Sequence, residues 1–130
     1  MLATAHLTTI LPVAEMDRAR RFYEQSLGLT PVGGRSDGSF EMRTRDGATI
    51  ALIPRPGRGK SEYTALSFEV PDVRAEIADL ERRGVAFEDY DLPGLNTVDH
   101  VFRSDDALCA WFCDPEGNIL CLHQSLERAH

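Results

Sequence analysis

Two stretches of the chain share one pattern, and this repeat constrains the fold more than any other feature of the sequence. Segments 11–19 and 68–75 each read as a strand end, an acidic turn and the start of an amphipathic helix. Each predicted helix closes on a glycine, Gly28 in the first copy and Gly84 in the second. The pattern predicts a duplicated supersecondary unit.

The second half of each copy is also alike. A glycine turn opens an apolar strand at 46–52 and again at 116–122. With a further strand after each helix, each copy becomes a βαβββ module. The predicted fold class is therefore α+β, built from two βαβββ modules.

The repeats also place the boundaries of the predicted domain. Module 1 occupies about residues 5–54 and module 2 about 63–125, and the linker at 55–62 is rich in proline, glycine and charge. The polar tail, 125–130, is predicted to fray. We expect residues 1–130 to form a single domain, because a chain of this length builds one core.

The Asp-Gly pair at 46–47 predicts a hairpin in the first module. With a loop of two residues, Met42 lies opposite Ala51, and Phe40 lies opposite Ile53. The face that these residues share is then mixed but uncharged.

The other elements follow from periodicity and caps. A first helix is predicted at 15–27, and a second from the capping residue Asp72 to Arg83. A strand is predicted at 85–88. The segment 91–106 has little periodicity, and a loop of this length is more often functional than idle.

Composition excludes several classes of function. The formal net charge of -7 argues against a nucleic-acid partner and favours a cationic ligand over an anionic one. No apolar run approaches the roughly 20 residues of a membrane span, and no secretion signal is evident. The three cysteines include no CxxC pair, which predicts reduced thiols in the cytoplasm.

Three motifs carry a family resemblance. The segments 15–29 (EMDRARRFYEQSLGL), 68–72 (FEVPD) and 112–118 (FCDPEGN) resemble marks of the vicinal-oxygen-chelate superfamily. That superfamily includes glyoxalase I, the bleomycin-resistance proteins and the extradiol dioxygenases. The resemblance covers about residues 6–124, and it implies paired modules whose mixed sheets curl into a cup.

In enzymes that the chain resembles, the cup holds a divalent metal on side chains from the first and last strands of each module. The matching positions here are Thr8, Ala51, Ala65 and Cys121. None is a histidine, glutamate or aspartate, and one thiolate cannot hold a metal alone. The usual metal site is therefore predicted to be missing, and no cofactor is expected.

A displaced metal site is the alternative. Cys121 and His123 share one side of a strand because side chains alternate, and His6 and His100 could approach them. Such a set would suit zinc or iron. The competing interpretation makes His6 and His123 rim histidines and Cys121 a small core residue.

The alternation of side chains assigns the residues of the last hairpin to two faces. Cys109 and Cys113 share a side of their strand with Trp111, and this side is predicted to lie opposite Cys121. Phe112 is then expected to point into the cup, and Trp111 to be a core or interface aromatic.

These assignments define a predicted pocket that is partly apolar. In the long loop, Asn96, Asp99 and His100 are the groups best able to fix a ligand, and the Asp and the His could act as an acid–base pair. The competing interpretation is an ordinary solvated loop. The residues predicted to bind the ligand are Thr8, Phe40, Met42, Ala51, Ala65, Asp99, His100, Phe112, Cys121 and His123.

Three hypotheses of function follow. The first is a metal-independent, homodimeric protein that resembles the bleomycin-resistance type and binds a partly apolar small molecule in the cup, with a cationic ligand favoured over an anionic one. The second is an enzyme, either of the lyase or dioxygenase type with a rebuilt or displaced metal site, or metal-free and using the long loop. The third is a structural or interaction dimer whose cup is closed. The sequence does not decide whether any reaction is catalysed.

Overall fold

The computed structural model of the protein describes residues 2–55 and 63–126. The chain forms two compact units, one on each side of the segment 56–62. Apart from Arg55, the predicted linker lies outside the described residues, as does the end of the predicted tail, 127–130. Within the described part of the chain, no helix is long and apolar enough to cross a membrane.

The first unit is a mixed four-stranded sheet with one helix. Its strands lie in the order β1-β4-β3-β2, with β1 parallel to β4 and the other neighbours antiparallel. The elements are a 3-10 turn (Leu2–Thr4), β1 (Thr8–Val13), α1 (Met16–Arg21) continued by a π-helical turn (Phe22–Ser26), β2 (Thr30–Gly34), β3 (Phe40–Arg43) and β4 (Thr49–Pro54).

The second unit repeats this plan. Its sheet has the order β5-β10-β9-β8, with β5 parallel to β10. The elements are β5 (Thr64–Glu69), α2 (Val73–Arg82), β6 (Asp91–Leu92), β7 (Leu95–Asn96), β8 (Phe102–Arg103), β9 (Ala107–Cys113) and β10 (Ile119–Ser125). Strands β6 and β7 pair only with each other, as a small hairpin inside the predicted long loop.

The prediction of a strand at 85–88 is wrong. Phe87 makes one isolated bridge, to Phe112, and no ladder forms at this point. Phe87 is nevertheless buried, and its ring lies 5.2 Å from that of Phe112. The apolar residues at 85 and 87 therefore serve the core without forming a strand.

The predicted limits of the second helix agree with its caps. The Asp72 carboxylate accepts hydrogen bonds from the amides of Arg74 (3.1 Å) and Ala75 (3.2 Å), which satisfies two donors at the start of α2. At the other end, Gly84 has a φ of 90°, a left-handed conformation that glycine adopts without strain. Val73, Ile77 and Leu80 are buried beneath the helix, as its periodicity predicts.

The two hairpins close through loops of the same kind. In each, a four-residue turn ends in a glycine at positive φ, Gly47 or Gly117, whose amide donates to the carbonyl of the first residue of the turn, Thr44 or Asp114. The loop therefore holds three residues, a known hairpin form that ends in a left-handed glycine.

A loop of three residues corrects the predicted register of the first hairpin. Phe40 lies opposite Leu52, and Met42 lies opposite Ile50, so Ala51 lies opposite Glu41. A slip of one residue moves each side chain to the other side of the sheet. Predicting that Phe40 and Met42 share a face with Ala51 was wrong. The face of Phe40 and Met42 is uncharged, as predicted, whereas the face of Ala51 carries Glu41 and Arg43.

Removing the cap of α2 tests the local energetics. We expect Asp72→Ala to lower the free energy of unfolding by about 1 kcal/mol, because two amides lose their acceptor. Asp72→Asn is the matched control and should retain most of the stability, since asparagine caps equally well. Urea unfolding followed by circular dichroism measures both variants, and equal losses in the two would contradict this account of the cap.

Candidate functional site

Each sheet has a helix face and an open face, the side turned away from its helix. In the second unit, Phe112 and Ala110 are fully buried on the helix face. Leu120 and Leu122 lie opposite them across the β9–β10 ladder and are buried on the same side. The Gln124 side chain, also on this side, accepts from the amide of Val73 at the start of α2 (2.9 Å).

The open face of the second sheet therefore carries the alternate residues. Trp111 lies opposite Cys121, and Cys109 lies opposite His123. The prediction that Cys121 lies on the other face of the sheet from Trp111 and Cys109 was wrong. Phe112 was predicted to point into the cup, but it is buried on the helix face. The reason is the three-residue loop that joins these strands.

Three aromatic side chains meet on the open face, and we call them the aromatic platform: Tyr90, Phe102 and Trp111. The ring of Trp111 lies 5.6 Å from that of Tyr90, edge to face, and 6.3 Å from that of Phe102. All three are half-buried. Burial, and then the charge of Glu88, raise the pKa of Tyr90, so its phenol stays a neutral hydrogen-bond donor at neutral pH.

Three polar side chains beside the platform form what we call the polar row: Ser67, Glu69 and His123. The Ser67 Oγ lies 2.6 Å from His123 Nδ1, and His123 Nε2 lies 3.6 Å from Glu69 Oε1. Parallel pairing of β5 and β10 places Ser67 level with Cys121 and Glu69 level with His123.

An irregularity in β5 produces this alignment. Thr64 pairs with Ile119, but the next partner of β10, Leu120, pairs with Leu66. Ala65 is thus the extra residue of a β-bulge, and the residues after it change sides relative to an unbroken ladder.

The open face also holds the less accessible thiols, and none of the three cysteines forms a disulfide. Cys113 is exposed, Cys109 is half-buried and Cys121 is buried. Burial raises the pKa of Cys109 to about 11, with the neighbouring Cys121 thiol adding to the effect. Burial likewise raises the pKa of Cys121, although a hydrogen bond with Ser67 opposes the shift.

The predicted metal positions do not form a donor set. Ala51 lies level with Ile10, whereas Thr8 lies level with Thr49. In the second unit, Ala65 is the bulge residue, and Cys121 faces Ser67 instead. Among residues 2–55 and 63–126, no group of three or more histidine, cysteine, aspartate or glutamate side chains is placed to hold a metal ion.

Each histidine of the alternative metal site contacts a side chain that does not belong to that site. His6, in the first unit, lies with its Nε2 2.8 Å from the Thr49 hydroxyl. Cys121 and His123 do share the open face, as their spacing predicts. His100 instead lies 3.5 Å from Glu81 of α2, so the structure does not bring it to the other two.

His100 is part of a tight turn and lies close to the side chain of Asp89. Asp99 and His100 have φ values of 51° and 73°, as in a type I′ turn, and mutual backbone bonds of 2.8 and 3.0 Å join Val98 to Val101. The imidazole Nδ1 lies 2.9 Å from Asp89 Oδ2. The carboxylate beside the His100 imidazole is thus that of Asp89, and an acid–base pair of Asp99 and His100 stays a prediction.

A family model for the glyoxalase/bleomycin resistance protein/dioxygenase superfamily matches residues 4–122. The chain belongs to this superfamily. The family resemblance and the α+β fold of two βαβββ-like modules are thereby confirmed. A comparison with curated proteins finds no match.

Solved structures of the superfamily share the fold at low identity. TnmS3, an antibiotic binding protein from Streptomyces sp. CB03234, is 23% identical, with a TM-score of 0.72 over 96% of this chain and 98% of that one. FosX, a fosfomycin resistance protein from Listeria monocytogenes, is 12% identical, with a TM-score of 0.71 over 95% and 91%. A superfamily member from Sphaerobacter thermophilus is 21% identical, with a TM-score of 0.71 over 95% and 99%. At these identities the likeness concerns the fold alone.

Sequence reasoning missed most of the open face. It did not select Tyr90, Phe102, Ser67 or Glu69, and it assigned Trp111 to a core or an interface. One available signal was the turn chemistry, because an aspartate at the first position and a glycine at the fourth favour a type I turn, as in segment 114–117. That signal predicts a three-residue loop and therefore the correct faces.

The carboxylate of Asp89 predicts how the stability of the protein changes in acid. Its hydrogen bond from Thr97, and then the nearby His100, hold its pKa below the ordinary value of 3.8. A lowered pKa stabilises the folded state above pH 4, and this contribution disappears as the pH falls through the lowered value. We expect Asp89→Asn to destabilise the protein at pH 7, with the difference from wild type shrinking below pH 4. Urea unfolding from pH 7 to pH 2.5 measures this, and the exposed Asp105→Asn serves as control.

The thiols give a second test. At pH 8 a thiol with a pKa of about 11 is ionised in only about one molecule in a thousand, so the Cys109 thiol reacts slowly. We expect one fast equivalent of Ellman's reagent in the native protein, lost in Cys113→Ser and retained in Cys109→Ser. Rapid reaction of two or three thiols without denaturant would contradict the burial described above.

Proposed function

We propose that the protein binds a partly apolar small molecule on the open face of its second sheet, without a metal. The observation that carries this proposal is the half-exposed aromatic platform, which lies beside hydrogen-bonding groups. Small-molecule sites combine aromatic walls with a few placed polar groups, and this face has both. The platform supplies flat apolar area, and the polar row supplies donors and acceptors.

A purely structural role explains the platform less well. The core of the second unit is filled from the helix face, where Phe112, Ala110 and Leu120 are fully buried. The platform residues lie on the other side of the sheet and keep part of their surface exposed. Exposed aromatic surface of this kind is a common mark of a binding site.

The charge of the protein supports a cationic group on the ligand. The net charge is -7, and Glu69 on the open face keeps 77% of its side chain exposed. Among the fold relatives, TnmS3 is described as antibiotic binding and FosX as a fosfomycin resistance protein. Both descriptions support a small-molecule ligand. Among the described residues, no three histidine, cysteine, aspartate or glutamate side chains are grouped to hold a metal ion, which supports binding without one.

We also propose that the protein acts as a homodimer in the cytoplasm. Leu7, just before β1, is 82% exposed, and Ile10, within β1, is 58% exposed. Strand β1 is an edge strand of its sheet, and apolar exposure at an edge favours association. None of the three cysteines forms a disulfide, which supports a reducing compartment.

Trp111 is the only tryptophan of the chain, and it reports on the proposed site directly. We expect proflavine, a planar aromatic cation, to quench tryptophan fluorescence saturably and to raise the melting temperature. The planar anion anthraquinone-2-sulfonate should bind at least tenfold more weakly. Calorimetry on Phe102→Ala and Trp111→Ala should show at least a tenfold loss of affinity for proflavine.

The control for these variants is Val98→Ala, at an exposed apolar residue of the tight turn, which should bind as wild type does. Stabilisation by proflavine with unchanged tryptophan fluorescence, or equal affinity in Trp111→Ala, would place the ligand elsewhere. Failure of a broad panel of aromatic compounds to bind would favour an interaction role instead.

A further inference from the structure

The polar row joins three residue types that together perform nucleophilic catalysis on unrelated folds. A hydroxyl, an imidazole and a carboxylate lie in line on the open face of the second sheet, on two hydrogen-bonded parallel strands. In such a constellation the imidazole takes the proton of the hydroxyl, and the carboxylate orients the imidazole. Recognition of the set depends on geometry and not on position in the sequence.

The distances fit one arrangement of the protons. At 2.6 Å from His123 Nδ1, the Ser67 hydroxyl is within the range expected of a nucleophile and its base. If Nδ1 accepts this bond, the neutral imidazole carries its proton on Nε2, on the side of Glu69. The 3.6 Å between Nε2 and Glu69 Oε1 lets the carboxylate favour this tautomer and stabilise the imidazolium. Relative to the serine proteases, the two ring nitrogens exchange roles.

The Ser67 hydroxyl is accessible to a reagent, whereas the neighbouring thiol of Cys121 is not a competing nucleophile. Ser67 and Glu69 are exposed on the edge strand β5, and His123 keeps 32% of its side chain exposed, so a reagent can reach the hydroxyl. The neighbouring Cys121 is buried, and burial raises the pKa of its thiol. The thiol therefore stays protonated and does not compete as a nucleophile.

We propose that Ser67 is a nucleophile that accepts acyl groups from aryl esters, with His123 as its base and Glu69 as a positioning residue. The Ser67 oxygen forms a bond to the ester carbonyl carbon while its proton passes to His123 Nδ1. The carbon–oxygen bond to the phenol then breaks, and the phenolate takes that proton. Water, activated in the same way, releases the acid from the acyl-serine and restores the hydroxyl.

The choice of an aryl ester rests on the proposed ligand site. Trp111 and Ser67 both lie level with Cys121, on the strands either side of β10. Strands are spaced by about 4.8 Å, so their backbones are roughly 10 Å apart. This span accommodates an aromatic group on the platform with its ester directed toward the hydroxyl. The nucleophile itself does not depend on the platform.

A fluorophosphonate probe tests the nucleophile without the platform, because it reacts with activated serines and releases fluoride. At pH 8, intact-mass analysis should show one adduct per chain, and peptide mapping should place it on Ser67. We expect no adduct at this position in Ser67→Ala, and labelling at least tenfold slower in His123→Ala. Ser125→Ala is the matched control, since Ser125 is an exposed serine on β10, and it should label as wild type does.

Hydrolysis of p-nitrophenyl acetate tests the full cycle. His123→Ala should lose about 100-fold in the rate of p-nitrophenol release, the lower end of what a general base contributes. Glu69→Gln should lose less, and it should keep the site of phosphonylation. Urea unfolding checks that each variant remains folded, so that a loss of rate reports chemistry.

The outcomes separate this inference from the proposed function. Labelling scattered over several serines, or as fast in His123→Ala as in wild type, would overturn the nucleophile even if proflavine binds. Labelling of Ser67 that persists in Trp111→Ala, together with no binding of aromatic compounds, would retain the nucleophile and reject the aromatic ligand site and the preference for aryl esters.

Discussion

The side on which each residue of the second sheet lies is set by a small hydrogen-bonded loop. The Asp114 carboxylate accepts from the amides of Glu116 (2.9 Å) and Asn118 (2.8 Å), and its other oxygen accepts from the Asn118 side chain (2.9 Å). Asp114 and Asn118 are both buried, so these bonds are protected from water and costly to break. With Gly117 at positive φ, they hold the loop at three residues.

The length of this loop decides which residues lie on the helix face of the second sheet and which lie on its open face. One face of the sheet carries the residues that fill the core under α2, and the other carries the aromatic platform and the polar row. A loop shorter by one residue would put Trp111 against the helix and Phe112 in solvent. The loop of the first unit ends in Gly47 in the same way. The open face of the first sheet, however, carries Glu41, Arg43 and Thr49 in place of aromatic rings.

The sequence predicted the repeat, both helices, the Asp72 cap, the glycine stops and the family, because these features depend on neighbours along the chain. It misassigned the faces of both hairpins, since a single residue of loop length reverses them. It could not predict the polar row. Ser67 and His123 are 56 positions apart, and their contact depends on a parallel pairing that passes through a bulge. No local periodicity records that pairing.

The bulge at Ala65 also has a consequence for how such a face arises in evolution. Along an unbroken ladder, Leu66 would lie level with Cys121, and Phe68 with His123, so the open edge would be apolar and Ser67 would turn toward the helix. Gain or loss of one codon in β5 therefore exchanges a polar edge for an apolar one, with no substitution at any of the residues concerned. Superfamily members that differ in chemistry can in this way differ in strand length before they differ in side chains.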